Sequence, residues 1–236
     1  MKLKEKDGMP SLKNWVLQAL QCLLWNTKKD TSGNERKQNK LSSLRGSYWG
    51  MTCMPNYRRI LIPGITYFFT VVTYKRRKIL VIPESRQMLR AVIDEVRQLH
   101  PFTVCGWMLL PDHIHCIWTL PENDCDYSKR WGMIKAGFSK RAKHLFYRSE
   151  WMSDSKRKHR EATVWQRRFW EHMIRDEDDF RRHVDYLHFN PVKHGLVKCV
   201  RDWPHSTFHR FVRDGFYPLD WGGDGMDEAT DADFGE

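Results

Sequence analysis

Two histidines separated by one residue are the first side chains in this sequence that could take part in catalysis. His113 and His115 lie in an apolar run that predicts a β-strand. Side chains two residues apart on a strand leave the same face of the sheet. Two neutral imidazoles on one face make half of a divalent-metal site, although two ordinary surface histidines would give the same pattern.

A second pair of polar residues is predicted to share one face of a helix. Tyr186 and Asn190 lie four residues apart in a segment that begins with four acidic residues, which suit the positive end of a helix dipole. Their spacing gives about 6 Å of axial rise along one face. A phenol and an amide so placed could meet one ion and one phosphate, but a helical tyrosine usually serves packing.

Hydrophobic periodicity predicts the elements that must position these residues. Apolar and β-branched runs predict strands at residues 65–74, 102–110, 113–120 and 196–200. Apolar positions at three- and four-residue steps predict helices at residues 84–99, 127–147 and 176–190. Pro191 is expected to end the last helix or to set its final turn. This order, with a hairpin turning at Pro111 and Asp112, predicts an α+β sandwich with a largely antiparallel sheet.

Composition divides the chain into three parts. Residues 1–53 are predicted to be a flexible basic extension, residues 54–221 one catalytic domain, and residues 222–236 an acidic, Gly-rich tail. Met54 looks like a natural beginning, which suggests a start codon assigned too far upstream. Within the domain, the polar and cationic stretch 149–163 is expected to be a mobile loop.

The charge of the chain indicates a polyanionic partner. The net charge is +11, and residues 54–213 alone carry +13, because residues 1–53 contribute +6 and residues 214–236 contribute −8. A basic folded domain attracts nucleic acid through counterion release, although a ribosome-associated or merely basic surface would have a similar charge.

The cysteines and one apolar stretch indicate the cellular compartment of the chain. Six cysteines without a CxxC pair favour a reduced, cytoplasmic setting. The apolar stretch 15–25 is too short and too polar for a membrane anchor, so no membrane partner is expected.

Four blocks of sequence resemble one family when they are taken together. Residues 109–118 (LLPDHIHCIW) resemble the HUH motif of single-tyrosine transposases, in which U is hydrophobic. The blocks 164–172 (VWQRRFWEH), 184–196 (VDYLHFNPVKHGL) and 203–208 (WPHSTF) are similar to the signatures of REP-associated tyrosine transposases. The resemblance covers roughly residues 56–221, with the blocks in the family's order. Residues 1–53 have no counterpart in it, and the stretch 149–163 is an insertion.

The resemblance implies a fold, an activity and a set of site residues. It implies a ferredoxin-like HUH nuclease fold that acts on single-stranded DNA beside palindromic repeats that form hairpins. His113 and His115 match the metal-binding histidines, Tyr186 matches the nucleophile that forms a 5′-phosphotyrosine, and Asn190 matches a third metal ligand. The implied cofactor is a divalent metal, Mg or Mn, and no nucleotide cofactor is needed.

Cationic residues near these motifs are predicted to contact single-stranded or hairpin DNA. They are Arg58, Arg59, Lys75, Arg76, Arg77, Arg167, Arg168, Lys193 and His194. Arg167 and Arg168 stand among aromatic residues that could stack on unpaired bases or could equally belong to the core. His188 is interpreted as a histidine on the helix surface rather than as a proton acceptor.

Two other functions stay open at this point. One is a DNA-binding protein that keeps the fold to recognise repeats without cleaving them. The other is a metal-dependent hydrolase in which water attacks the phosphate and no protein–DNA adduct forms. The recognised repeat, the oligomeric state and the physiological metal are left open by the sequence.

Overall fold

A single four-stranded sheet organises the residues that the computed structural model describes, which are residues 61–159 and 161–223. The strands are β1 (Thr66–Val72), β2 (Thr103–Leu109), β3 (His113–Thr119) and β4 (Trp170–Met173). Their spatial order is β2-β3-β1-β4, and each neighbouring pair is antiparallel. Because the helices Pro83–Leu99 and Tyr127–Arg141 intervene to give β-α-β-β-α-β along the chain, the predicted ferredoxin-like, antiparallel α+β fold is confirmed.

Six α-helices accompany the sheet within the described residues. They are α1 (Pro83–Leu99), α2 (Tyr127–Arg141), α3 (Lys143–Phe146), α4 (Asp154–Lys158), α5 (Glu177–Lys193) and α6 (Phe208–Arg213). Short 3-10 helices lie at Tyr74–Arg76, Ser149–Trp151 and Val200–Asp202. The helix α1 begins at Pro83, as its sequence predicts, because proline tolerates the first turn, where its missing N–H has no intrahelical partner.

Both faces of the sheet are covered, so every residue of β1 and β3 is buried. On one face, α1 and α2 pack over a cluster that contains Phe69, Ile114 and Trp118. On the other face, α5 and α6 pack over a cluster that contains Phe68 and Ile117. Alternation along a strand therefore serves two cores, and the odd-numbered residues of β3, with both histidines, face α5.

The two helices on the first face approach each other closely. Beneath them, the Trp118 ring of β3 stacks on the Trp131 ring of α2, with 4.3 Å between the ring centroids. A Cβ atom built on Gly137 of α2 would lie 2.9 Å from Val92 Cγ1 of α1. Glycine at this position therefore permits a backbone approach that a larger residue would oppose.

Pro191 lies in the final turn of α5, which is one of its two expected places, because its missing N–H removes only one bond near the helix end. Three other local predictions are wrong. The predicted helix 127–147 divides at Ala142, and a 3-10 turn occupies the end of the expected strand 196–200. The stretch 149–163 contains a 3-10 turn and α4, with Trp151 packed under Lys75 and Arg77.

Candidate active site

The two histidines of the HUH motif lie side by side on β3 and are buried. His113 is 2% exposed and His115 is fully buried, with 4.7 Å between their ring centroids. They are paired in register with Val72 and Thr70 of β1. The interpretation of two ordinary surface histidines is therefore wrong, because the face of the sheet that carries them lies beneath α5.

Hydrogen bonds fix the orientation of both rings. His113 Nδ1 lies 2.7 Å from Asp112 Oδ1, and His115 Nδ1 lies 3.0 Å from Thr70 Oγ1. Among the described residues, the buried Nε2 of His113 has no hydrogen-bond partner. A histidine whose Nδ1–H is held by a carboxylate and whose Nε2 is buried without a protein partner fits the coordination habit of metal-binding histidines.

Asp112 links His113 to the cationic turn that follows β1. Arg76 Nη1 lies 3.4 Å from Asp112 Oδ2. Burial opposes the charge of this carboxyl, but the hydrogen bond with His113 and the charges of His113 and Arg76 outweigh it and lower the pKa of Asp112. Arg76 reaches this position from a backbone with φ of +47°, next to Lys75 at +58°, in a left-handed region that is costly for residues other than glycine.

The helix α5 places Tyr186 against the histidines. The Tyr186 ring lies 5.3 Å from the His115 ring, and the whole residue is 1% exposed. Lys193 Nζ stands 5.0 Å from the centroid of the Tyr186 ring, and the His194 ring lies 5.3 Å from that of His113. The tyrosine, both histidines and the C-terminal end of α5 therefore form one cluster.

Asn190 is fully buried one helical turn beyond Tyr186, as the four-residue spacing predicts. Its backbone oxygen accepts a hydrogen bond from the His194 N–H at 3.0 Å. An opening of about 140 Å³ lies beside His113, and its lining includes Arg76, Lys78 and His194. An anion at this opening would meet three groups that can carry positive charge.

The other cations predicted to contact DNA are divided between several places. Arg77 donates to the Phe146 carbonyl of α3 at 2.7 Å and lies over the Trp151 ring of the insertion, so it is not directed at the tyrosine. Arg167 is ion-paired with Glu161 and hydrogen-bonds Ser155 at 2.9 Å, while Arg168 is exposed. Arg58 and Arg59 lie outside the described residues. Arg76, Lys193 and His194 are thus the members of the predicted set that the structure brings to the cluster.

Two of the aromatic residues beside Arg167 and Arg168 are half-buried and pack against the core. The Phe169 and Trp170 rings lie 6.0 Å and 5.9 Å from Phe69 and Phe68 respectively. They flank or belong to β4, a strand that is not predicted from the sequence because its four residues are too few to show alternation.

A further group of possible ligands joins β4 to α5. His172, Asp179 and His183 place one donor atom each within 4.8 Å of one another. The Asp179 carboxylate already accepts hydrogen bonds from His172 at 2.9 Å and from Arg175 at 3.1 Å. Burial opposes its charge, but these bonds hold the pKa of Asp179 well below its ordinary value. Because a guanidinium would compete with a metal ion for this carboxylate, we interpret the group as an ion-pair network.

The interpretation of His188 as a surface residue is also wrong. His188 is fully buried, its Nε2 lies 2.9 Å from Thr207 Oγ1, and its ring contacts Phe211. Burial, with a smaller effect from Arg210, lowers the pKa of His188 to about 3. The segment that buries it begins near α6 and is far from α5 in sequence, so periodicity within α5 carries no signal of it.

Known proteins resemble this chain along most of its length. The REP-associated tyrosine transposase of Escherichia coli (strain K12) is 48% identical over 183 residues, which are 78% of this chain and 98% of that protein. The chain belongs to the REP-associated tyrosine transposase family. Its counterpart in Haemophilus influenzae is 42% identical over 170 residues, which are 72% of this chain and 94% of that protein.

A solved structure agrees with this membership of the REP-associated tyrosine transposases. It is a REP-associated tyrosine transposase bound to a REP hairpin, 47% identical, with a TM-score of 0.61 over 75% of this chain and 96% of that one. A comparison with protein-family models gave no match. The predicted family is confirmed, and with it the prediction of an enzyme, since the relatives are tyrosine transposases. No helix within the described residues is long and apolar enough to span a membrane.

Proposed function

We propose that this chain cleaves and rejoins single-stranded DNA at hairpin-forming repeats, with Tyr186 as the nucleophile. A divalent metal, Mg or Mn, would be held by His113, His115 and Asn190. The observation that carries the proposal is the position of the Tyr186 ring, 5.3 Å from the ring of His115 in the HUH pair. A nucleophile and a pair of candidate metal ligands on two different elements are brought into one buried cluster.

The chemistry follows from the types of residue in this cluster. The Tyr186 hydroxyl loses its proton as its oxygen attacks phosphorus, the bond from phosphorus to the 3′ oxygen breaks, and the 3′ oxygen takes up a proton in exchange. The products are a 5′-phosphotyrosine and a free 3′-hydroxyl. A bound divalent metal would polarise a non-bridging phosphate oxygen. Lys193, with Nζ 5.0 Å from the centroid of the Tyr186 ring, places positive charge beside the phenol, where negative charge develops as it loses its proton and attacks.

Strand joining reverses the same bonds. A 3′-hydroxyl from another strand attacks the phosphotyrosine, a new phosphodiester forms, and the bond to Tyr186 breaks. The covalent intermediate conserves the energy of the phosphodiester, so no nucleotide cofactor is required.

The burial of Tyr186 indicates where the DNA must enter. The tyrosine is 1% exposed, whereas Lys193 and His194 at the end of its helix are exposed. A scissile phosphate would approach past these two residues and the opening lined by Arg76 and Lys78. The hairpin as substrate is supported by the solved relative, which is bound to a REP hairpin.

Formation of a covalent adduct tests the nucleophile. Tyr186→Phe keeps the buried ring and should bind hairpin DNA as the wild type does, but it should form no adduct. Labelled single-stranded DNA beside a hairpin, incubated with Mg or Mn and run on a denaturing gel, gives the readout. Tyr147→Phe is the matched control, because this half-buried tyrosine lies on the opposite side of the sheet, beside α2, and should keep the adduct.

The same gel separates the other two functions. An adduct in Tyr186→Phe would assign the nucleophile to another residue, and cleavage without an adduct in the wild type would favour the hydrolase. Binding without any cleavage would favour the repeat-binding protein. His113→Ala and His115→Ala should each lose most cleavage but retain DNA binding, and full activity of both would contradict the metal assignment.

A further inference from the structure

A basic groove lies on the opposite side of the sheet from Tyr186. It has a volume of about 530 Å³ and runs between α1 and the outer strand β2, and it ends at the loop that contains His205. Pockets of roughly 300–1,000 Å³ enclose small organic ligands, so the groove has room for a nucleobase with its sugar. The proposed chemistry at Tyr186 does not use it.

The charge of the groove favours an anionic ligand. Its lining contains three arginines, Arg86, Arg90 and Arg97, and one carboxylate, Asp94. Arg97 Nε is engaged with the Phe102 carbonyl at 3.3 Å. By contrast, the exposed guanidinium groups of Arg86 and Arg90 have no ion pair or hydrogen bond with any residue that the structure describes.

The spacing of these two arginines places two like charges close together in the free protein. Arg86 and Arg90 are one helical turn apart, and like charges at this spacing destabilise a helix. A polyanion bound in the groove would neutralise both charges and remove the repulsion. The arrangement is therefore better suited to the bound state than to the free state.

The floor of the groove offers a surface for stacking. Trp107 of β2 is half-buried there, and its backbone is held on both sides, since Trp107 N donates to Thr207 Oγ1 at 3.0 Å and Thr207 N donates to Trp107 O at 2.9 Å. A half-buried indole in a groove that guanidinium groups also line is the combination that proteins use for unpaired bases and their phosphates. Duplex DNA hides its base faces and would not use the indole.

The groove reaches the level of the catalytic cluster at one end. Leu109 N donates to the His205 carbonyl at 2.9 Å, and Leu109 is paired in register with Ile114, which stands between His113 and His115. The edge of β2 therefore separates the His205 end of the groove from the histidines. A strand that leaves Tyr186 could cross this edge and continue into the groove.

We propose that the groove between α1 and β2 is a second DNA subsite that holds an unpaired stretch of the strand cleaved at Tyr186. Arg86 and Arg90 contact its phosphates, and Trp107 stacks on a base. This subsite rests on the proposed function, because it requires DNA as the substrate.

Two labelled DNAs test the subsite with the full chain: a blunt hairpin, and the same hairpin with a single-stranded extension. The groove variant carries Arg86→Gln with Arg90→Gln. The control carries Arg201→Gln with Arg213→Gln, which removes the same charge from exposed positions outside the groove. Affinity is measured by fluorescence anisotropy over a range of salt concentrations, and thermal melts verify folding.

The groove variant should bind the extended hairpin about tenfold or more weakly and the blunt hairpin within about twofold of wild type. Its salt dependence on the extended hairpin should lose about 1.4 from the log–log slope, which is about 0.7 for each single-strand phosphate contact. Trp107→Phe should weaken binding of the extension by about fivefold or more, because base stacking is reduced. The control should leave the ratio of the two affinities unchanged.

Unchanged affinity of the groove variant for both DNAs, or an equal loss of affinity for both, would overturn the subsite; the equal loss would assign the groove to duplex DNA. The adduct gel distinguishes this failure from failure of the proposed function. At saturating DNA the groove variant should still form the Tyr186 adduct. If the wild type forms no adduct, the assignment of Tyr186 as the nucleophile is wrong. The affinities of the wild type and the groove variant for the two hairpins still test the groove.

Discussion

At the scale of single residues, Asp112 orients the ring of its sequence neighbour His113, which is a ligand of the proposed metal site. Asp112→Ala would leave His113 Nδ1 without the acceptor that now lies at 2.7 Å, and the ring could rotate. Loss of such an orienting group costs roughly 10–100-fold in metal affinity or activity. We expect adduct formation to slow by about that factor and to need more metal for half of its maximal rate.

Two companion variants of Asp112→Ala separate orientation from charge. Asp112→Asn keeps an oxygen acceptor for His113 and should lose less activity, and Arg76→Gln should lose least, because Arg76 acts on His113 only through Asp112. Equal rates for Asp112→Ala and the wild type at limiting metal would contradict the role of Asp112 as a positioning residue.

His188 makes the stability of the protein depend on pH. Its folded pKa of about 3 lies below the ordinary value of 6.5, so the unfolded chain takes up a proton that the folded protein excludes. Stability is therefore lost as the pH falls from 6.5 towards 3, by about 1.4 kcal/mol per pH unit. Between pH 6.5 and 5 the melting temperature should fall by roughly 4–8 °C through this residue alone.

His188→Gln removes this titration and keeps a polar partner for Thr207. The variant should melt lower than the wild type at pH 7.5 but lose less stability on acidification. His183, whose pKa burial also lowers, remains in both proteins, so the difference between their slopes isolates His188. Thermal melts between pH 7.5 and 5 avoid the range in which Asp179 titrates, and parallel slopes would contradict the prediction.

At the scale of elements, α5 is the part that assembles the proposed site. Its N-terminal turn is held to β4 through Asp179, and the segment beyond Thr207 packs along it through His188 and through Tyr217, which donates to Asp185. Because these contacts hold its N-terminal turn and its middle, the one face that carries Tyr186 and Asn190 is pressed against β3. The position of the nucleophile thus depends on packing along the whole helix.

The helix α2 contains two glycines in different surroundings. A Cβ atom on Gly132 would meet no neighbour within 4 Å among the described residues, whereas the Cβ of Gly137 would lie 2.9 Å from Val92 Cγ1. Gly132→Ala should therefore stabilise the protein by about 0.5–1 kcal/mol through helix propensity. Gly137→Ala should destabilise it by about 1 kcal/mol, because the clash with a stiff valine exceeds the propensity gain.

Denaturant unfolding of the two glycine variants measures the difference. The double variant Gly137→Ala with Val92→Ala should show favourable coupling between the two sites, since removal of Cγ1 makes room for the new methyl group. If Gly137→Ala were as stabilising as Gly132→Ala, the close approach of α1 and α2 would be wrong.

At the scale of the whole molecule, the predicted extent of the domain can be tested by truncation. Gly222 is buried, and a Cβ at its position would lie 2.4 Å from Val200 Cγ2, so packing continues past the expected boundary at residue 221. We expect a fragment of residues 54–223 to unfold cooperatively at nearly the temperature of the full chain. A fragment of residues 54–216 should melt roughly 6–12 °C lower, because it loses Tyr217 and Trp221.

The two fragments are compared with the full chain by thermal melts at one pH. Tyr217 donates to Asp185, next to the nucleophile, and the Trp221 ring packs on it at 4.4 Å. A shorter fragment as stable as the longer one would show that this C-terminal packing is unimportant. A longer fragment that fails to fold would show that residues outside 54–223 belong to the domain.

Much of this protein could be predicted from its sequence because the relevant signals are local. Alternation in β3 predicted that His113 and His115 share a face, and the four-residue spacing predicted the same for Tyr186 and Asn190. The order of strands and helices predicted the antiparallel α+β fold, and the four blocks predicted the family. Each of these follows from backbone periodicity or from a contiguous string of residues.

Only the tertiary structure decided what covers each face and which polar groups meet. It brought α5 onto the histidine face of β3, buried His188 under a segment beyond Thr207, and paired His172 of the unpredicted β4 with Asp179. It also showed that Gly132 has open space around it and that Gly137 packs closely against Val92, a difference that the local sequence does not indicate. These outcomes depend on contacts between residues distant in sequence, for which periodicity along one element carries no information.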